Sequence, residues 1–274
     1  MKKIKQLTSI VALAIGTFLS ALPARAQNVG TTPQHYLQID YIKPVPGKRA
    51  DYIRMERELW KSIHQARVAA GNIVSWKLYS VSFPNGDSLE YEYVTVTELP
   101  SWAALEEPYK GIDAEKILGA DKAKDSRTGY ATRKMVRRDT VRLDLATDNF
   151  SKSANTLLSV HFIKPLPGKA NDFMKIQREY FLPMNNAAAE ANGGATSWAA
   201  ALVRYTDHSD QSYSHVSFNG SASFTQMDSA MPADLQSTWN IKFQTYGPLL
   251  ETSRTKVRNE LWRLVDQTVG SVKR

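Results

Sequence analysis

The segment Ile42-Lys43-Pro44-Val45-Pro46-Gly47-Lys48 returns as Ile163-Lys164-Pro165-Leu166-Pro167-Gly168-Lys169, 121 residues further along a chain of 274. Near the far end of each copy, Arg133, Val136, Arg137 and Leu143 recur as Arg254, Val257, Arg258 and Leu264 at the same offset. Between them Trp76, Tyr91 and Val94 recur as Trp198, Tyr213 and Val216, offset by 122, so one residue was gained and later lost. A chain of this kind is expected to be two copies of one domain that pack against each other. The expected boundaries are 27–146 for the first copy, 147–155 for a short polar linker and 156–274 for the second.

Residues 1–26 read as an export signal. Lys2, Lys3 and Lys5 precede an apolar run from Ile10 to Leu22, and Ala24-Arg25-Ala26 offers a small-x-small cleavage site. The expected address is therefore periplasmic or secreted, with no stable membrane insertion after cleavage. The chain has no Cys, which excludes disulfides and thiolate metal sites and leaves each fold to its own core. Two domains of this size are large enough for that. The formal charge of +8 falls to +4 without Lys2, Lys3, Lys5 and Arg25, too mild an excess to point to a nucleic-acid partner. The basic run Arg133-Lys134, Arg137-Arg138 and Arg142 reads as a solvated helix face entering a strand, or as an anion-binding rim.

Within the first copy the pattern predicts a strand over 35–43, a turn at Pro44-Val45-Pro46-Gly47, a helix over 48–70 and a strand over 73–83. A tight turn at Pro84-Asn85-Gly86-Asp87, a strand over 89–97, broken helix over 100–134 and a strand over 137–145 complete it. The second copy repeats the order with strands over 156–164, 195–205, 212–218 and 258–266. Its first helix, 169–191, is expected to kink at Pro183, and its second, 221–256, to break at Tyr246-Gly247-Pro248. The order β-α-β-β-α-β is the split-βαβ, ferredoxin-like unit, an antiparallel sheet with helices on one face. Strict alternation puts Leu37, Ile39 and Tyr41 on one face of the first strand, expected beneath the helices. Gln38 and Asp40 then fall on the other face, with Tyr91 and Tyr93, and their counterparts there include His161, Tyr213 and His215. That polar and aromatic face is expected to line a cavity between the two sheets.

Element order, the Pro-x-Pro-Gly-Lys turn after each first strand, and the closing strand with Arg258, Trp262, Arg263 and Leu264 together resemble the dimeric α+β barrel superfamily. In general style the chain is similar to its antibiotic-biosynthesis-monooxygenase, EthD-like and NIPSNAP-like members. The resemblance covers roughly 35–145 and 156–266. It implies an α+β fold in which two tandem ferredoxin-like (βαββαβ) domains pack sheet-to-sheet as an intramolecular α+β barrel. It implies no single activity, because that superfamily spans cofactor-free monooxygenases, isomerases, haem enzymes and proteins without catalysis.

His161 and His215 are the candidate catalytic pair, two imidazoles from neighbouring strands able to act as acid and base near neutral pH. Asp40, Tyr91, Tyr93 and Tyr213 are the candidate ligand-binding residues, the tyrosines shaping a pocket for a planar molecule. The bland reading makes all of them hydrogen-bonded filler and cross-strand packing. No metal site is expected, since no closely spaced His, Asp and Glu set is present. The cofactor is left open. His64, late on the first helix, is the residue through which the resemblance would admit haem, against the plainer reading of a surface histidine. Trp76 and Trp198 read as core anchors. Arg142 and Arg263 could hold an anion, and Arg57-Glu58, repeated as Arg178-Glu179, reads as a structural ion pair. The leading expectation is an exported protein that binds a small planar or aromatic molecule between the sheets, with cofactor-free oxygenase or isomerase chemistry as the conversion open to it. The alternatives are a non-catalytic envelope or stress protein whose cavity is filled by its own side chains, and a haem-binding protein.

Overall fold

The computed structural model describes residues 35–84, 90–153, 155–207, 212–228 and 231–269. The expected export signal and the turn residues 85–87 and 208–210 lie outside the described residues.

In the first half, β1 (Tyr36–Pro44), β2 (Ser75–Phe83), β3 (Tyr93–Leu99) and β4 (Arg133–Ala146) lie in the order β4-β1-β3-β2. In the second half, β5 (Leu157–Pro165), β6 (Thr196–Thr206), β7 (His215–Ser221) and β8 (Arg254–Val269) lie in the order β8-β5-β7-β6. Both are the ferredoxin-like order. The closing strands β4 and β8 are the longest, at 14 and 16 residues, and each outruns its own half. Their surplus pairs with the open edge of the other half, β4 with β6 and β8 with β2. One eight-stranded antiparallel sheet thereby closes on itself as a ring, and neither half keeps an unpaired edge strand.

The repeated turn has a physical reason. Gly47 and Gly168 stand at φ 77° and 74°, where a Cβ is penalised. In each copy the residue after the first Pro donates its N–H to the strand-entry carbonyl, Val45 to Thr132 and Leu166 to Ser253. The turn therefore pins the first strand to the start of the closing strand.

Helix α1 (Arg49–Met55) continues through a π-turn (Glu56–Trp60) into α2 (Lys61–Ala69), and α5 (Ala170–Ile176) through Gln177–Phe181 into α6 (Leu182–Ala191). Pro183 was expected to kink the second of these. The irregularity is instead a π-turn found in both copies, and Ser62 stands where the first copy lacks the proline, so proline is not its cause. Shorter pieces α3 (Ala114–Leu118), α4 (Ala120–Thr128) and α7 (Phe224–Asp228) precede the closing strands. Helix α8 (Ala233–Glu251) runs through Pro248 without the expected break. Gly247 lets the Phe243 ring lie against the turn, where an added Cβ would stand 2.9 Å from that ring.

The uniformly apolar strand face was expected beneath the helices. It faces the ring interior instead, where Leu37, Ile39, Tyr41, Val94 and Val96 of the first half meet Leu158, Val160, Phe162, Val216 and Phe218 of the second. Alternation separates the two faces of a strand but does not say which is more deeply enclosed. The interior of a closed ring is shielded on every side, so it takes the drier set. The mixed faces carry the helices, with Tyr52, Trp76 and Leu78 central in one half and Phe173, Tyr180 and Trp239 in the other.

The linker closes one end of the interior. Phe150 joins the inner core, Ser151 Oγ donates to Glu98 at 2.6 Å, and Asn155 Nδ2 donates to Ser197 Oγ at 2.5 Å. Asn155 occupies the space a side chain at Gly220 would need. Gly220→Ala is therefore expected to destabilise the chain by about 1–3 kcal/mol, read by urea unfolding, as overpacking of a site with no slack. The described void along this interior, beside Leu37, Val96 and Phe218, measures about 20 Å³, room for about one water.

A candidate ligand pocket between helices and sheet

The mixed face of the first half carries a pocket of about 240 Å³ under α1 and α2. Its floor is the outer face of the sheet, with Gln38 and Asp40 from β1, Thr95 and Thr97 from β3, and Arg133 and Arg138 from β4. Its roof is Glu56, Trp60, His64 and Arg67, with Tyr109 at the side. The π-turn supplies Glu56 and Trp60, a placement in keeping with the frequent occurrence of such turns at working sites.

Arg138 grips Asp40 side-on, Nε to Oδ1 at 2.6 Å and Nη2 to Oδ2 at 2.9 Å. Arg133 donates to Glu56, which is 2% exposed. Burial pushes the Glu56 carboxyl up to about 7, and Arg133 offsets only part of that. His64 is no surface residue. It is 7% exposed and stacks against Trp60 and Trp76 with ring centroids 5.9 and 4.8 Å away. Burial, with Arg67 and Arg133 adding to it, lowers its pKa to about 3, so the ring is neutral at physiological pH. Arg67 Nη1 lies 3.1 Å from His64 Nδ1 and Nε donates to the Pro108 carbonyl, while the guanidinium sits 4.4 Å from the Tyr109 ring centre. Three guanidinium groups thus face two carboxyl groups, one of them half-protonated near neutrality, and the flanking surfaces are flat rings. Such a pocket suits an anion with a planar face.

The second half supplies an internal control. At the places of Asp40, Glu56, Trp60, His64, Arg67 and Arg138 it has His161, Gln177, Phe181, Asn185, Ala188 and Asn259. The fold survives without the charged set, so that set is not required by the architecture.

The same comparison locates the expected catalytic pair. His161 faces Asn259 across β5 and β8 in the register in which Asp40 faces Arg138, and its Nδ1 lies 2.7 Å from Asn259 Oδ1. His215 is the counterpart of Tyr93. It packs edge-on to Phe173 at 5.3 Å, as Tyr93 packs to Tyr52 at 5.3 Å. Both imidazoles lie on the helix-facing side, not between the sheets, because the two strand faces are inverted relative to the expectation. Burial lowers both pKa values.

The four expected ligand residues separate. Asp40 lies in the pocket and Tyr93 packs at the helix-facing core, while Tyr91 and Tyr213 point into the ring. They were expected on one face by strict alternation. Tyr91 and Tyr213 precede the regular strands, so their parity is not set by β3 and β7.

The basic run was expected to start on a helix, but all of it lies on β4, and a bulge divides it. Arg133 and Arg138 point to the pocket and Arg137 inward. Of the remaining arginines, Arg142 Nε donates to Asp144 at 2.5 Å and Arg263 lies 5.6 Å from the Phe224 ring centre. Arg57 meets Asp266 at 3.5 Å rather than Glu58, since neighbours one apart on a helix diverge. Trp76 and Trp198 are buried anchors, at 1% and 2% exposure.

His64 is the residue through which haem was expected to be held. Arg67 can only donate, so Nδ1 of the neutral ring accepts and Nε2 carries the proton, leaving no lone pair for iron. His64 does not fit an axial ligand, and His64→Ala is expected to leave the Soret band of the protein titrated with haem unchanged. Among the described residues no three His, Cys, Asp or Glu side chains gather into a metal site, and no helix is long and apolar enough to cross a membrane.

No protein-family model and no curated protein sequence matches the chain. Solved structures share its fold. One is a candidate monooxygenase from Lactobacillus acidophilus NCFM, with TM-score 0.53 and 10% identity over 87% of this chain and 98% of that one. Another is a candidate monooxygenase from Fusobacterium nucleatum subsp. nucleatum, with TM-score 0.55 and 8% identity over 87% and 95%. A third is an anthrone oxidase-like protein, with TM-score 0.50 and 10% identity over 89% and 96%. At such identity the likeness is one of fold alone. It does not single out the EthD-like, NIPSNAP-like or antibiotic-biosynthesis members.

Proposed function

We propose that the protein takes up a small anion with a planar face in the helix–sheet pocket of its first half, and that the ring interior serves as core. The observation that carries this reading is the asymmetry of the repeat. Charge and stacked rings gather at one of two equivalent places, and the other shows that folding does not demand them. The interior supports the same division, since Leu37, Ile39, Val94, Val160, Phe162 and Phe218 from both halves pack there as one buried apolar cluster.

The probe is an aromatic carboxylate such as benzoate, followed by tryptophan fluorescence because Trp60 and Trp76 border the pocket. Saturable quenching is expected. Asp40→His combined with Arg138→Asn transplants the second half's own pair and should keep the fold while weakening binding about tenfold or more, the worth of one charge-assisted contact. His161→Ala with His215→Ala should leave binding unchanged. Affinity should rise as pH falls through 7, because protonation of Glu56 removes a like charge from the anion's surroundings. Binding that survives the transplant, or is lost with the two histidines, contradicts the proposal.

A second reading rests on Glu56 itself. A carboxyl that titrates near neutrality in a pocket wall can pass a proton to or from a bound molecule without a cofactor. Under that reading Glu56→Gln retains the ligand and abolishes turnover.

A further inference from the structure

Helix α8 holds in the second half the place that α3 and α4 hold in the first, between the third strand and the closing strand. The two helical layers meet water differently. Between Ala114 and Thr128 the first layer carries seven charged residues, and none of its described large hydrophobic side chains is exposed. Between Leu235 and Leu250 the sole charged residue of α8 is Lys242. Its ammonium lies back over the helix's own Trp239 ring, 4.2 Å from the ring centre. A helix that borders water normally carries charge on its outer side.

Helical spacing separates the two sides of α8. Trp239, Tyr246 and Leu250 belong to the core beneath it. Thr238, Ile241, Thr245 and Leu249, spaced by three and four residues, form a stripe on the outer side, and all four are exposed. Ile241 is 67% exposed, the highest value among the described large hydrophobic side chains, and Leu249 is 53% exposed. Ser237, Gln244 and Pro248 flank the stripe and add no charge. Such a stripe, about 16 Å long, is the kind of apolar surface that marks a contact with another molecule.

The missing charge narrows what covers it. A nucleic acid or an anionic membrane is held by Lys and Arg, and a charged peptide by opposite charges. The stripe offers neither. A second copy of the chain needs neither. A two-fold axis sets one patch against itself, so a charged patch repels its own image and an uncharged one does not. Depletion of charge is also what distinguishes the centre of an interface. We infer that α8 is the contact between two copies of the chain, packed antiparallel about a two-fold axis at Thr245. Ile241 of each copy then lies against Leu249 of the other. One helix face, about 28 Å by 10 Å, buries less than a standard interface, so the dimer belongs to the weak, reversible class.

Sedimentation velocity of the purified protein up to about 500 μM is expected to show reversible dimerisation, half complete at roughly 100 μM. Ile241→Lys sets like charges at the contact and should raise the dissociation constant about tenfold or more. Its urea midpoint should match the wild type, because the side chain it replaces already stands in water. The chain has no Cys, so Thr245→Cys carries a single thiol that meets its own image across the axis. On exposure to oxygen it should cross-link into dimers faster than Lys124→Cys on α4 of the charged layer. A chain that stays monomeric throughout, whether or not it binds phosphatidylcholine vesicles, would overturn the inference. So would a dimer indifferent to Ile241→Lys, or equal cross-linking of the two cysteine variants.

Discussion

Replacing Glu56 by Gln is expected to stabilise the folded chain at pH 8 by about 3 kcal/mol. Glu56 is held near pH 7 in the folded state against 4.5 for a freely solvated glutamate, because burial disfavours its charge. The folded chain therefore binds more protons than the unfolded chain between those values. Stability contributed by the neutral form is fully present below about 4.5 and is lost as pH rises toward and through 7. Gln stays neutral, so the variant should match the wild type near pH 4.5 and exceed it increasingly above that. Arg133 loses its contact with Glu56 in the exchange but keeps the Tyr52 ring, 5.7 Å away, and the second half shows the outcome is tolerable. There Arg254 rests beside the Phe173 ring and the residue in place of Glu56 is Gln177. Urea unfolding of both proteins at pH 4.5 and 8 measures the difference. A variant less stable than wild type at pH 8 would mean that the Arg133 pair outweighs the burial cost.

Trp262→Ala should cost about 3–5 kcal/mol, the range for removing a fully buried aromatic ring. Trp262 is completely buried on β8, yet its neighbours include Tyr41 and Tyr79 of the first half, at 6.3 and 5.9 Å, and Phe218 of the second, at 6.5 Å. Its removal also strips Glu260 of an N–H donor. Because this side chain belongs to a core shared by both halves, the loss should fall on the whole molecule. With fluorotryptophan labels at Trp76 and Trp198, one in each half, both ¹⁹F signals are expected to disappear at a single, lower urea concentration. Loss of the Trp198 signal alone would show that the halves unfold independently.

The architecture was largely legible because its signals are local and doubled. Turn glycines, strand alternation and helix lengths each appear twice, so a misreading in one copy is checked by the other. The inversion of the strand faces was not legible. Leu37 and Asp40 alternate in the same way whether the apolar side meets a helix or a partner sheet, and only ring closure by the long β4 and β8 decides. That inversion carried Asp40, His161 and His215 to the helix side. The bulges opposite Tyr41 and Phe162 hid the rest, since they send Arg137 and Arg258 inward. Arg137 and Arg258 stood out only as matched residues of the repeat. For the helix–sheet pocket the useful signal was the opposite one, the places where the copies disagree: Glu56 against Gln177, His64 against Asn185, Arg67 against Ala188.

The most direct test of this account is a crystallographic map of the protein purified from its own cells without added ligand. The account predicts density for a small molecule beside Asp40, Arg67, Tyr109 and Arg138, with side chains filling the space between Leu37, Val160 and Phe218. An organic molecule lodged among those interior side chains, with the helix–sheet pocket of the first half holding only water, would contradict it.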